Sequence, residues 1–251
     1  MPPIQKFLAI ETSTSPGSVA AGVLPSRHDT MNGSIQNDNR FVQESLLPET
    51  GTQGRHLMPA LTAAAKSAGW SLDMTDLVIV ATGPGPFTGL RVGITTAKAI
   101  AWTNSCPLVG ISTVSCLATQ AISECGPVDR VEVVFDAGRG ELFVAAATQP
   151  IDGLIWQVSD GTLKKPEEWR RALPRDTIVT GPGLALQHEV LQELQSNPDS
   201  RSVTPASAWH PNSRTLARIG IAAAERGLTT EPATLSPTYM RASYAEDRSG
   251  T

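Results

Sequence analysis

Leu77-Val78-Ile79-Val80-Ala81 is an unbroken apolar run that leads directly into Thr82-Gly83-Pro84-Gly85-Pro86. A strand covered on both faces needs such a run, because neither side of its pleat meets water. The glycines and prolines end the strand, and Thr88 stands where an N-cap would open a helix reaching to about Asn104. Thr177-Ile178-Val179 runs into Thr180-Gly181-Pro182-Gly183 in the second half of the chain, with a further helix expected to about Leu194. One repeated tetrapeptide is weak evidence in a chain rich in Gly and Pro. The same tetrapeptide at the same place in the same order of elements points to an internal duplication.

The order is read outward from these two turns. In the first half, Phe7-Leu8-Ala9-Ile10 and Val19-Ala20-Ala21-Gly22-Val23-Leu24 flank Ser15-Pro16-Gly17 as a hairpin. A third strand is expected within Phe41 to Leu47, inside a polar stretch spanning 26–54. Leu57, Met58, Leu61, Ala64, Ala65 and Ala68 then fall at helical spacing, and Gly69 stops the helix. The second half opens with Leu108-Val109-Gly110-Ile111 and a helix from about Ser112 to Ser123. Val131 to Phe135, Glu141 to Ala146 and Leu154 to Val158 follow as a meander, and Pro166 opens a short helix through Ala172. Each half thus reads as three strands, a helix, a strand, a Thr-Gly-Pro-Gly turn and a helix. The expected fold is α/β, with two duplicated lobes of mixed sheet flanked by helices, the actin, Hsp70 and sugar-kinase architecture. The lobes are placed at 1–107 and 108–251. A last helix, 213–226, carrying Leu216, Ile219, Ala222 and Ala223, is expected to pack back on the first lobe.

Composition excludes several classes. Apolar residues make up 40% and charged residues 18% of the 251, a globular balance. The formal net charge of −4 argues against a chain that grips RNA unaided, since phosphate binding needs a dense cationic surface. Cys106, Cys116 and Cys125 lack CxxC spacing, so neither a disulfide framework nor a zinc knuckle is expected. The first residues lack a signal-peptide core and no apolar run is long enough to cross a bilayer, which places the chain in the cytoplasm with no membrane role.

Two features carry candidate chemistry. Glu11, Thr12 and Ser13 leave the first strand at a hairpin, and Asp136 leaves the corresponding strand of the second half, so these are the candidate nucleotide-loop residues. Arg139 and Glu141 put bulk where a phosphate loop prefers small residues, and a tight structural hairpin in each lobe is the favoured reading. Pro84 and Pro86 likewise remove two N–H donors from the Gly83–Gly93 block as a phosphate cradle. Gly89, Gly93, Ala97 and Ala101 recur every four residues and form a helix face with almost no side-chain bulk. Such a face lets a neighbour approach closely, with Arg91, Thr95 and Lys98 beside it. Spacing leaves open whether that neighbour is this chain or another.

Leu8-Ala9-Ile10-Glu11-Thr12-Ser13-Thr14, Arg55-His56-Leu57-Met58-Pro59, Thr82 through Gly93, and Phe135-Asp136-Ala137-Gly138-Arg139-Gly140-Glu141-Leu142-Phe143 resemble the successive signatures of the TsaB (YeaZ) family. Pro237-Thr238-Tyr239-Met240-Arg241 resembles that family's closing segment. Glu11 departs from the pattern, standing where the family usually has Asp, and the 26–54 insert is long. The resemblance implies a non-catalytic subunit in the formation of N6-threonylcarbamoyladenosine at position 37 of tRNA. It implies a heterodimer with the catalytic paralogue TsaD and association with the ATPase TsaE, with tRNA touched only indirectly. ATP and metal are expected on those partners and no cofactor in this chain. The partner contact is expected on the two helices of the first lobe, at His56, Leu57, Ala60, Gly89, Arg91, Gly93, Ile94, Ala97, Lys98 and Ala101. A homodimer through the same residues is the competing assembly.

Other readings are weaker. A self-sufficient nucleotide-dependent kinase of the sugar-kinase type is the alternative function. His56 has Ala60 four residues on, so that helix offers one imidazole where a metal needs three or more protein ligands. No Gly-x-Ser-x-Gly elbow supports a hydrolase. Trp70, Trp102, Trp156, Trp169 and Trp209 read as core or lobe-interface residues.

Overall fold

Alternating and continuous apolar strands fix two separate sheets in the computed structural model, which describes residues 4–24, 42–48, 53–151, 155–188, 191–192, 194 and 201–241. Most of the polar 26–54 insert falls outside these residues. The chain divides into two compact units. One comprises 1–82, 88–111 and 211–237, the other 83–87, 112–210 and 238–251.

The first unit holds β1 (Lys6–Glu11), β2 (Ser18–Val23), β3 (Val42–Leu46), β4 (Leu77–Gly83) and β5 (Leu108–Ser112), in the order β3-β2-β1-β4-β5. β1 pairs antiparallel with β2, Leu8 opposite Ala21, and parallel with β4, Leu8 beside Val78. The central strands β1 and β4 are buried on both faces, the environment their unbroken apolar runs require. One face carries α1 (Gln53–Ser67) and α2 (Phe87–Asn104). Leu57 and Leu61 of α1 share a core cluster with Ile94 and Ala97 of α2 and with Leu8 and Val80 of the sheet.

The second unit holds β6 (Arg130–Asp136), β7 (Leu142–Ile151), β8 (Ile155–Val158), β10 (Thr177–Thr180) and β11 (Arg201–Val203), ordered β11-β10-β6-β7-β8, with β9 (Thr162–Lys164) also on β7. Each unit has the same sequence of neighbours: a three-strand antiparallel meander, then a later strand, β4 or β10, parallel beside the first. The shared turns match as well, Gly83 at φ +104° and Gly181 at φ +116°, a region that glycine enters without steric cost.

The helices show a crossover that element order alone does not reveal. α3 (Thr113–Cys125) follows β5 but packs on β6, β7, β8 and β10. Ser112 caps it, its side chain accepting from the Val114 N–H at 3.2 Å. α4 (Pro166–Ala172) lays Trp169 on the other face of that sheet, where the indole N–H donates to Glu132 at 2.9 Å. α5 (Ser213–Glu225) comes last in the second half yet packs on β1, β2 and β3 of the first unit. Asn212 caps it by accepting from Thr215 N–H at 2.7 Å, and Gly220 lets it descend onto Ile79, whose Cγ2 stands 2.3 Å from where a Cβ would be. The last helix of the second half therefore belongs to the first unit, as expected for 213–226.

The lobe boundary drawn at 107/108 needs correction. β5 (Leu108–Ser112) completes the first sheet, and the longest segment of the second unit begins at Ser112. Moreover, 211–237 groups with the first unit, while 83–87 and 238–251 group with the second. Element order suggested a strand opening the second half, but a buried parallel sheet leaves its fifth strand beside its fourth in space.

Candidate functional site

β1 ends by turning Glu11 into the protein. Its carboxyl is fully buried, yet it accepts from the Ser13 N–H at 2.8 Å, from the Ser13 hydroxyl, and from the Thr14 hydroxyl at 3.4 Å. Burial pushes its pKa up to about 7, against the pull of those donors, which favour the charged form. Glu11, Thr12 and Ser13 are thus brought together, but as a closed loop whose carboxyl oxygens bond to the loop's own donors.

Asp136 ends β6 in the other unit and is exposed. It accepts from the Gly138 N–H at 2.8 Å and so closes its own hairpin. The tail of the chain lies on that hairpin. Arg241 donates from Nε to the Ala137 carbonyl at 2.9 Å, from Nη2 to the Gly138 carbonyl at 3.3 Å, and pairs with Glu141. Tyr239 bridges Gly85 and stacks on Phe87 with ring centroids 4.7 Å apart. The hairpin offers carbonyls to a guanidinium, the opposite polarity from a phosphate cradle.

The small-residue ridge is corrected outright. Gly89, Gly93, Ala97 and Ala101 are buried in the first unit's own core, together with Leu57 and Ile94. A Cβ on Gly93 would stand 2.1 Å from Thr12 Oγ1 and 3.5 Å from Ile10 Cγ2, so the ridge exists to bring α2 down onto β1. A helix lying on a sheet needs a low face as much as a helix meeting a foreign helix does. The neighbouring Leu90, Ile94 and Ile100, buried on the same side, are the signal that decides between them. Of the expected interface residues, His56 and Arg91 are exposed, and Ala60 and Lys98 are partly so.

Trp102 was expected in a core or between lobes, but it lies on α2 at 79% exposure, on the face opposite the ridge. Met58 on α1 is 43% exposed. The helical spacing Arg91, Thr95, Lys98, Trp102 could have identified this stripe, since all four lie on one side of α2. Trp70, Trp156 and Trp169 are buried.

A cleft of about 410 Å³ lies at the starting ends of β1, β4 and β5, whereas Glu11 sits at the finishing end of β1. Asp76 in it accepts from the Lys6 N–H at 2.9 Å. Burial, with the Asp76 charge adding to it, raises the thiol of Cys106 to about 11, which keeps it protonated and a poor nucleophile. Among the described residues no three His, Cys, Asp or Glu side chains are grouped to hold a metal, and no helix is long and apolar enough to cross a membrane.

Comparison with known proteins agrees with the sequence motifs. Residues 52–248 match the family model described as "TsaD: tRNA N6-adenosine threonylcarbamoyltransferase". A Bacillus subtilis relative, "tRNA threonylcarbamoyladenosine biosynthesis protein TsaB", is 26% identical over 192 residues, covering 75% of this chain and 80% of that protein. The Escherichia coli protein of the same description is 28% identical over 181 residues, 71% of each. The solved structure "YeaZ from Pseudomonas aeruginosa" superposes with a TM-score of 0.70 at 22% identity, covering 94% of this chain and all of that one, so the two share this α/β fold of two sheets.

Proposed function

We propose, on the premise that this chain belongs to the family described as TsaD: tRNA N6-adenosine threonylcarbamoyltransferase, that it is a TsaB-type subunit which performs no chemistry alone. It supports a catalytic TsaD-type partner in forming N6-threonylcarbamoyladenosine at position 37 of tRNA. The TsaB-named relatives supply the reaction, and the strand-exit loops supply the division of labour. The Glu11 carboxyl is the observation that carries the reading. It is buried and bonded to Ser13 and Thr14, so presenting it to a metal–nucleotide would require dismantling its own loop.

ATP and metal then belong to the partner subunits, TsaE among them, and the work is done in the cytoplasm. With a net charge of −4 this chain leaves most of the tRNA contact to the others. Docking uses the outward faces of α1 and α2, through His56, Ala60, Arg91 and Lys98 rather than through the buried ridge. The test reconstitutes tRNA modification from purified components, with the modified nucleoside measured by mass spectrometry. Omitting this chain should abolish or strongly reduce the product, and the chain alone should turn over no ATP. Steady ATP turnover by the lone chain, lost in Glu11→Ala, would instead establish a self-sufficient kinase or ATPase.

A further inference from the structure

The cleft at the starting ends of β1, β4 and β5 has no part in the division of labour proposed above. Its volume of about 410 Å³ lies in the range of small-molecule sites, which join apolar walls to a few placed polar groups. Main-chain bonds hold its walls. Asp76 donates its N–H to the Lys6 carbonyl at 2.9 Å and accepts the Lys6 N–H on Oδ2 at 2.9 Å. Across the cleft, Thr230 donates to the Leu108 carbonyl at 2.7 Å, which lays the segment after α5 along the outer edge of β5. Between them Ser105, at φ +50°, ends α2 and turns the chain through Cys106 and Pro107 into β5.

Among the described residues lining this cleft two carry charge, Asp76 and Glu231, and both are carboxylates. The Gln5 and Lys6 N–H groups both bond to Oδ2 of Asp76, which leaves Oδ1 to the cleft. Glu231 has no ion-pair partner among the described residues. Asn104 donates Nδ2 to the Ile100 carbonyl at 3.0 Å, so its remaining polar atom is the accepting Oδ1. Burial, then the Asp76 charge, raises the Cys106 thiol to about 11, so the thiol adds no third negative charge. An anion would meet carboxylates here and no cationic side chain. A metal ion would meet too few ligands, since no three His, Cys, Asp or Glu side chains among the described residues are grouped to hold one. An organic cation suits both features, its charge on the carboxylates and its carbon body against Leu108 and Pro232.

The sheet also sets the spacing. Asp76 precedes the first residue of β4, β5 lies beside β4, and Thr230 lies beside β5. Asp76 and Glu231 therefore stand about two strand spacings apart, on the order of 10 Å between Cα atoms. Both side chains line the cleft, so the gap between their carboxyls is that of two ammonium groups on a short alkyl chain.

We propose that this cleft is a binding site for a short aliphatic diamine, one ammonium on Asp76 and the other on Glu231, with the alkyl chain across Leu108. This site is independent of the tRNA reading, and neither falls with the other.

The experiment follows the full chain, labelled with nitrogen-15, by NMR as 1,4-diaminobutane, butylamine or MgCl2 is added at about 50 mM NaCl. The diamine should move the amides of Ser105, Cys106, Thr230 and Glu231 along one saturable curve, with a Kd of about 5 mM or tighter. Butylamine carries one ammonium on the same carbon body and should bind at least about threefold more weakly. Glu231→Gln should weaken the diamine at least about threefold with thermal unfolding unchanged. Asp76→Asn, which keeps an acceptor for Gln5 and Lys6, should do the same. Asp160→Asn removes an equal charge from the second unit and should leave the affinity as it was. The inference is overturned by diamine that gives no saturable shift at these amides up to about 20 mM. Equal binding of butylamine, the same shifts from Mg2+, or full affinity in Glu231→Gln would overturn it as well.

Discussion

Gly93 in the first unit and Gly181 in the second both mark places where the element after a turn or strand comes down on the unit's first strand, but they meet different things. Gly93 is helical and faces a side chain, Thr12 Oγ1. Gly181, at φ +116°, faces the backbone of β6, with the Val134 carbonyl oxygen 2.4 Å from where a Cβ would lie. Gly183 follows with the Phe135 carbonyl carbon at 2.7 Å. One duplicated plan has therefore been closed in two ways. The first unit uses a long helix fitted over a threonine, and the second a short 3-10 segment, Pro182–Leu186, pressed on bare main chain. A side-chain obstacle can be removed by mutation, and a backbone obstacle cannot.

That contrast is sharpest at Gly181. Alanine there combines a left-handed φ with an overlap that no rotamer relieves, and a loss of about 5 kcal/mol is expected. Chemical denaturation should show the second unit's signal, followed through Trp156 and Trp169 fluorescence, collapsing first. No compensating substitution at Val134 should restore it, because the obstructing atoms are main chain. Gly93→Ala should cost about 3 kcal/mol, and the double variant Gly93→Ala/Thr12→Ala should recover a large part of that. Failure of the double variant to recover would mean that Ile10 or the sheet backbone, not Thr12, sets the helix height.

These two glycines also show how much could be read from sequence. The duplication, both turns and the strand at Leu77–Gly83 were visible because a buried parallel strand and a Gly-Pro turn leave unambiguous local marks. The direction in which the Gly93 ridge faces is not legible from its four small residues alone, and only the bulky Leu90, Ile94 and Ile100 beside them tie that side to the core. Spacing leaves its neighbour open and the resemblance implies a partner there, but it is the seat of α2 on its own sheet. The boundary at 107/108 fails for a related reason: Leu108–Ser112 follows its helix as a second-half strand would, and only pairing reveals its sheet. Trp102 reads as a core residue because tryptophan is one by default, and its exposure depends on which side of α2 the sheet occupies.

The strand exits carry the comparison to titration. Glu11 is buried with a pKa of about 7, raised above its ordinary value of 4.5, so the folded state holds its proton more tightly than the unfolded chain. For a carboxyl raised in this way, the stabilising contribution is complete below about pH 4.5 and declines as pH climbs through about 7. The whole change amounts to roughly 3 kcal/mol at most. Glu11→Gln should flatten that slope in denaturation midpoints measured across the interval. Equal slopes in wild type and Glu11→Gln would show that the carboxyl is not the titrating group.

The smallest effect separates a loop that closes itself from one closed by a distant residue. Ser13 and Thr14 satisfy Glu11 from within its own turn, whereas the 136–141 hairpin depends on Arg241, some hundred residues along the chain. Both side chains of the Arg241–Glu141 pair are about a third exposed, at 31% and 34%, so water weakens the ion pair and most of the benefit comes from the two carbonyl acceptors. Arg241→Lys keeps the charge but cannot span Ala137 and Gly138 with a planar fork. It should therefore behave like Arg241→Ala, each losing about 1 kcal/mol of stability. In both, hydrogen exchange should quicken at the Glu141 and Ala137 amides, which bond across the hairpin, while Ser13 exchanges as before. Full protection in the lysine variant would assign the clasp to charge instead of geometry, and the second unit's exit would then be held by the same kind of force that burial suppresses at Glu11.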